Sequence, residues 1–264
     1  MSADYIPRDA AIPPNLPVES GGGVAAIFDL DGTLLPEPSL ERRFFSQLRR
    51  NGAIPLVNYL HWSMHTLRLL PHGLLTVRHA NKRYLTNVST ALIFRHVESI
   101  SFFEEGVSRI AWHARQRHEI VLMSGTLEPL ARLAATALEC ALEARGIRIQ
   151  PWICATHLAE THGRWTGQLI GEAISGPAKA RALQNLARHG RLELRECHAY
   201  ANSLLDRHLL CAVGHAHAVN PGKSLAALAN EKNWPIWHWH LEKSLAPPEN
   251  IRFASEIHQT GGPA

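Results

Sequence analysis

The stretch Val24-Ala-Ala-Ile-Phe-Asp-Leu-Asp-Gly-Thr-Leu34 decides how this chain is read. Its apolar run ends in two carboxylates, Asp29 and Asp31. Val, Ala, Ile and Phe in close succession indicate a buried strand, and Gly32-Thr33 turns the chain where the acids emerge. Side chains alternate along a strand, so residues i and i+2 share a side. Both acids can then face one ligand at the carboxyl end of a strand, where open α/β sheets bind ligands. Like charges held that close repel, so the pair requires a cation or a shared proton. Mg²⁺ suits the pair, because it takes oxygen ligands and commonly joins one or two carboxylates to a phosphate.

Outward from this segment, helix-like spacing begins. Leu40, Phe44, Phe45 and Leu48 share a face, and Ser39 is placed to cap them. A second helical stretch runs from Ile54 to Leu70, and a third from about Leu74 through Phe94. So much helical pattern before the next strand is too long for one crossover helix, and it reads as an inserted helical cap over residues 37–98. The sheet resumes at Glu119-Ile-Val-Leu-Met123, followed by Ser124-Gly125-Thr126 and a helix over Glu128 to Glu143. Ile147 to Ala155 reads as strand, and Gly163-Arg-Trp-Thr-Gly167 as a turn between strands. Pro177 opens a helix that ends near Gly190. His198 to Ala201, Ala212 to Gly214 and Ala218-Val219 read as strand, Leu205 to Leu210 and Gly222 to Lys232 as helix. Alternating strands and helices predict an α/β fold, a doubly wound parallel sheet. Residues 24–36 and 99–245 form its core domain, 1–23 a loose arm and 246–264 a tail.

Three further segments complete the pattern. Ser124 directly follows an apolar strand and precedes a helix, and a hydroxyl beside free N–H groups at a helix start makes a phosphate cradle. Lys179 lies in Gly176-Pro-Ala-Lys-Ala-Arg181 at another helix start. Asn202 and Asp206 lie four apart in Ala199-Tyr-Ala-Asn-Ser-Leu-Leu-Asp206, after a short strand.

Phe28-Asp-Leu-Asp-Gly-Thr-Leu34, Met123-Ser-Gly-Thr126, the Gly-x-x-Lys of Gly176 to Lys179 and the segment 199–221 resemble, in order, the four motifs of the haloacid dehalogenase superfamily. The likeness is to its phosphoserine-phosphatase-like branch and covers about Val24 to Trp237. It implies Asp29 as the nucleophile that takes the phosphoryl group and Asp31 as the general acid. Ser124 and Gly125 would bind phosphoryl oxygens, and Lys179 would offset the charge. The fourth motif departs from the family, because Asn202 stands where an aspartate is usual while Asp206 remains. Asn202 is expected still to coordinate Mg²⁺, directly or through water, alongside Asp29 and Asp31, with Asp206 shifted toward the ion or orienting Asn202. Arg42 and Arg43 are candidates for contacting a substrate's own charges, as are Glu37, Glu41 and Arg68. The implied activity is Mg²⁺-dependent hydrolysis of a small phosphorylated metabolite through an aspartyl-phosphate. Asn202 also leaves room for a weakened relative that binds a phosphorylated ligand, and a phosphotransferase would differ only in the acceptor.

Bulk properties agree. The chain has 264 residues, of which 45% are hydrophobic, enough for a full core. A net charge of +4 without a basic block favours anionic substrates over nucleic acid. No apolar run is long enough for a membrane span. Met1 to Gly23 carries no secretory signal pattern, so a cytoplasmic location is expected. Cys140, Cys154, Cys197 and Cys211 lack a Cys-x-x-Cys pair and read as buried, reduced thiols. The chain has 17 histidines. His215-Ala-His217 and the His238 and His240 of Trp237-His-Trp-His240 read as strand alternation rather than as metal ligands.

Overall fold

A computed structural model describes residues 23–72, 80–93 and 100–241. Strand β1 (Ala25–Phe28) leads to helices α1 (Leu40–Arg50) and α2 (Leu56–Leu69), then α3 (Glu104–Arg115) and β2 (Glu119–Leu127). Next come α4 (Glu128–Glu143), β3 (Trp152–Thr156) and the hairpin β4 (Leu158–Thr161) and β5 (Arg164–Leu169). The chain continues through α5 (Pro177–Gly190), β6 (His198–Ala201), α6 (Arg207–Leu210), β7 (His215–Val219), α7 (Lys223–Glu231) and β8 (Ile236–Trp237).

Six strands pair in the order β3-β2-β1-β6-β7-β8, every pair parallel. The expected doubly wound sheet is present, and alternation along β1 shows how it is wound. Ala26 and Phe28 face a core built with Ile110 of α3 and Leu130, Ala134 and Leu138 of α4. Ala25 and Ile27 face a second core with Leu183 of α5, Leu209 and Leu210 of α6 and Leu225 of α7. Burial on both faces is why the strands read as near-continuous apolar runs. Among the described residues no helix is long and apolar enough to cross a membrane.

Several local expectations need correction. The third helical stretch does not form over residues 81–91. Residues 80–93 hold a short 3₁₀ turn, Arg83–Leu85. Asn87 N–H then donates to the Trp165 carbonyl, and Trp165 N–H to that of Val88. Pairing with the β4–β5 hairpin, anchored by Trp165 packed edge-on against Phe44 at 5.9 Å, overrides helical periodicity there. The rest of that stretch lies outside the described residues. Strand β3 begins only at Trp152, and Ala212 to Gly214 is a turn before β7. Helix α3 had no counterpart in the sequence reading.

Helix α2 forms where expected but is turned over. Leu56, Leu60, Met64 and Leu67 are exposed, while its buried residue is Asn58, whose amide donates to the Tyr84 and Thr86 carbonyls at 3.0 and 2.6 Å. Of the four cysteines, which are unpaired, Cys197 is buried and Cys154 half-buried, but Cys140 and Cys211 are exposed. The buried-thiol expectation fails for those two.

Candidate active site

The carboxyl ends of β1, β2 and β6, the first turn of α5 and the start of α1 surround a cavity of about 570 Å³. Asp29, Asp31, Ser124, Gly125, Lys179, Asn202, Asp206 and Arg42 all line it. Asp29 follows β1 directly, and its N–H donates to the Tyr200 carbonyl of β6 at 3.0 Å. Gly32, at φ +79°, lets the chain turn back immediately. A Cβ at that position would lie 2.0 Å from Asn202 Nδ2, so the glycine also makes room for the Asn202 side chain against the turn that carries both acids.

Lys179 sits three residues past Gly176, whose φ of +56° brings Pro177 into the first helical position. Its ammonium donates to Asp29 Oδ1 at 2.7 Å and lies 2.8 Å from Asp206 Oδ1. All three groups are buried. The two carboxylates hold the lysine ammonium more firmly protonated despite its burial. Burial and the Asp206 charge push the Asp29 carboxyl up, against the pull of Lys179. The Thr33 hydroxyl faces the other Asp29 oxygen at 3.3 Å.

Asp31 accepts the Leu40 N–H at 2.8 Å, at the first residue of α1. Burial raises its carboxyl to about 7, with the Asp29, Glu37 and Glu41 charges adding to the shift. A carboxylic acid that titrates near neutrality can both give and take a proton there. Across the cavity mouth, Ser124 Oγ accepts the Thr126 N–H at 3.2 Å. The Thr126 hydroxyl is buried with no partner within the protein.

A hard divalent cation fits this donor set. The donors are all oxygen, from carboxylates and an amide. Three buried or half-buried acids line the cavity, and the Lys179 ammonium pairs with only two of them, Asp29 and Asp206, so a cation would relieve the excess negative charge.

The haloacid dehalogenase-like hydrolase family model matches residues 26–210, most of the chain and the whole span that builds this cavity. The chain belongs to that family. It is 27% identical over 261 residues to a "probable phosphatase" of Mycobacterium tuberculosis, covering 93% of this chain and 86% of that protein. In structure, this hydrolase resembles a protein of unknown function from Bordetella pertussis Tohama I (TM-score 0.62, 22% identity, 82% of this chain and 98% of the other). It also resembles a substrate-bound phosphoserine phosphatase complex (TM-score 0.56, 17% identity, 82% and 93% covered).

Some expected placements in this hydrolase differ. Arg43 does not line the cavity, because its guanidinium donates to the Pro36 and Pro38 carbonyls and pins the loop before α1. Arg68 also lies away from it, whereas Glu37 and Glu41 line it with Arg42. Ser124 and Gly125 do not start a helix. They sit in the bulged end of β2, whose register with β3 shifts between Met123 and Leu127, and α4 begins only at Glu128. The Asp206 carboxylate, expected at or near the metal, is engaged by Lys179.

Four lining or supporting residues escaped the sequence reading. Glu41 Oε1 is ion-paired with Lys82, which is only 1% exposed, and accepts the Tyr84 hydroxyl at 2.8 Å. Asn81 braces this group by donating to the Trp62 carbonyl and the Thr66 hydroxyl, each at 2.8 Å. Asn81-Lys-Arg-Tyr84 falls within the third helical stretch of the sequence, so nothing local marks it. Thr126 carried a signal, as a hydroxyl two residues beyond Ser124.

Proposed function

We propose that this hydrolase cleaves the phosphate ester of a small charged metabolite through an aspartyl-phosphate formed on Asp29. The observation that carries the reading is the arrangement around Asp29: its carboxylate is ion-paired with buried Lys179 and shares one cavity with Asp31, whose carboxyl titrates near neutrality.

Asp29 attacks phosphorus as the ester P–O bond breaks, and Asp31 gives its proton to the departing alcohol oxygen. Asp31, now a carboxylate, takes a proton from water as the water oxygen attacks the same phosphorus. The bond to Asp29 breaks, phosphate leaves, and Asp31 is protonated again. A covalent relay splits one difficult step into two easier ones. Lys179, Ser124 and the unpartnered Thr126 hydroxyl are placed to hold phosphoryl oxygens, where fixed donors contribute most. Asp29, Asp31 and the Asn202 amide oxygen would hold Mg²⁺, which supplies positive charge against the phosphoryl oxygens. Asp206 keeps Lys179 charged and aimed at Asp29. Glu37 and Arg42, charged residues that line the same cavity, suit a substrate with charges of its own. Phosphoserine belongs among the compounds tested because a structural neighbour is a phosphoserine phosphatase.

Asn202 favours one other reading, a catalytically weakened relative that binds rather than turns over its ligand. A panel of phosphorylated metabolites, with and without Mg²⁺, separates the two. Phosphate release by wild type and not by Asp29→Asn supports the hydrolase. Binding without release by either protein would overturn it.

A further inference from the structure

A second cluster of ligating side chains lies at the opposite end of the same sheet. His113 lies in the last turn of α3, His118 in the turn before β2, and His198 is the first residue of β6. Each offers a ring nitrogen, and the three nitrogens lie within 4.8 Å of one another. We propose that His113, His118 and His198 form a metal site of their own, for a zinc-class divalent ion, distinct from the catalytic acids at the carboxyl end.

The chemistry of the ligands and of their supports points to this ion. Imidazole nitrogen suits zinc, copper and nickel rather than Mg²⁺, and three histidines with an open fourth position are an established zinc set. Tetrahedral zinc at 2.0 to 2.1 Å from nitrogen sets its ligands about 3.3 Å apart. His113 Nδ1 and His118 Nδ1 are 2.8 Å apart and no pair in the set exceeds 4.8 Å, so ring rotations at the half-buried His118 and His198 have to close at most about 1.5 Å to reach that spacing.

A partner for the outer nitrogen of His113 is already present, which is how ligating histidines are oriented. His113 Nε2 lies 2.9 Å from the Tyr200 hydroxyl. With its proton there, the proton between the two Nδ1 atoms belongs to His118, and a metal moves it to the outer His118 nitrogen. His198 Nδ1 lies 3.2 Å from His217 Nε2, and the Trp237 indole N–H donates to His217 Nδ1 at 3.2 Å. An indole only donates, so neutral His217 carries its proton on Nε2, facing His198. A metal at His198 Nδ1 therefore replaces that hydrogen bond, and one at His198 Nε2 moves the ring proton to Nδ1 and breaks the hydrogen bond from His217.

All three ligands are ready as neutral bases. Burial pulls His113 down to about 2 and His198 to about 4, helped by the neighbouring histidines and the Arg109 charge, and burial also lowers His118. Protons therefore do not compete for them at neutral pH. Arg109, stacked over Trp237 at 4.6 Å, is the opposing charge a cation must tolerate.

The test uses the full chain, stripped with chelator and then held in excess Mg²⁺ so that the catalytic acids are occupied. Calorimetric titration with Zn²⁺ is expected to show one equivalent bound and a rise in Tm. His118→Ala, at a half-buried turn position, is expected to weaken binding at least about tenfold and to abolish the Tm rise, and His198→Gln to do the same. Asp31→Asn is expected to leave the zinc equivalent unchanged. No zinc uptake by wild type, uptake unchanged in His118→Ala, or uptake lost in Asp31→Asn would each overturn the proposal.

Discussion

The two ends of one parallel sheet carry opposite chemistry. At the carboxyl end, β1, β2 and β6 present Asp29, Ser124 and Asn202; at the amino end, His118 precedes β2 and His198 opens β6. Burial acts on both ends by the same cost, that of keeping a charge out of water, with opposite results. It pushes the Asp31 acid up to about 7 and the His113 base down to about 2. The carboxyl end is left with acids that need a cation to stay ionised. The amino end is left with neutral lone pairs. One scaffold can thus separate an oxygen site for a hard ion from a nitrogen site for a softer one, and Tyr200 touches both through its carbonyl to Asp29 and its hydroxyl to His113.

The sharpest way to break this comparison is at Asp29. Asp29→Asn should reduce phosphate release to background in a phosphate assay while zinc uptake at the amino end persists. Loss of both would mean that the two ends are one site. Lys179→Met leaves Asp29 and Asp206 buried without their shared ammonium. Removing one partner from a buried charge group costs about 3 to 5 kcal/mol, so urea unfolding at pH 7 should show a loss of that order, smaller at pH 5 where Asp29 can protonate.

Asn202→Asp restores a carboxylate beside Gly32 and tests whether the amide sets metal affinity. Changes even in the outer shell of a metal site shift affinity about 10- to 100-fold. The Mg²⁺ concentration for half-maximal activity should fall by at least tenfold, and an unchanged value would remove Asn202 from the metal site.

The smallest effect is the most diagnostic of the two ends. Asp31 titrates near 3.8 when unfolded and about 7 when folded, so its contribution to stability falls as pH rises from about 4 through 7. His113, His198 and His217, pulled from 6.5 to about 2, 4 and 3, do the reverse, and their contribution is lost as pH falls below 6.5. In metal-free protein the three histidines outnumber the two strongly raised acids, Asp31 and Asp29, and stability should rise from pH 4 to 6.5 in urea titrations. Asp31→Asn should steepen that rise and His198→Gln flatten it.

How legible each feature was depends on how local its cause is. The turn at Asp29-Leu-Asp-Gly32 could be read because strand alternation and a glycine act on neighbouring residues. Helix α1 could be read from its Ser39 cap and apolar face, which recur every few residues. Residues 81–91 misled, because their helical spacing lost to main-chain pairing with Trp165. The bulge that lifts Ser124 out of a helix start comes from register with β3. Arg43 was one of two adjacent arginines, and only the fold shows that it faces Pro36 and Pro38 while Arg42 faces the cavity.

By itself, the sequence determined the parallel α/β sheet, which rests on periodicity, and the order of the motif residues, whose resemblance to known motifs pointed to the family. Only the tertiary structure decided that Lys179 bridges Asp29 and Asp206, that Lys82 is buried against Glu41, and that His113, His118 and His198 converge. Those contacts join residues from 5 to 150 positions apart. Where such side chains meet is set by how the strands pair and the helices pack, which no local pattern encodes.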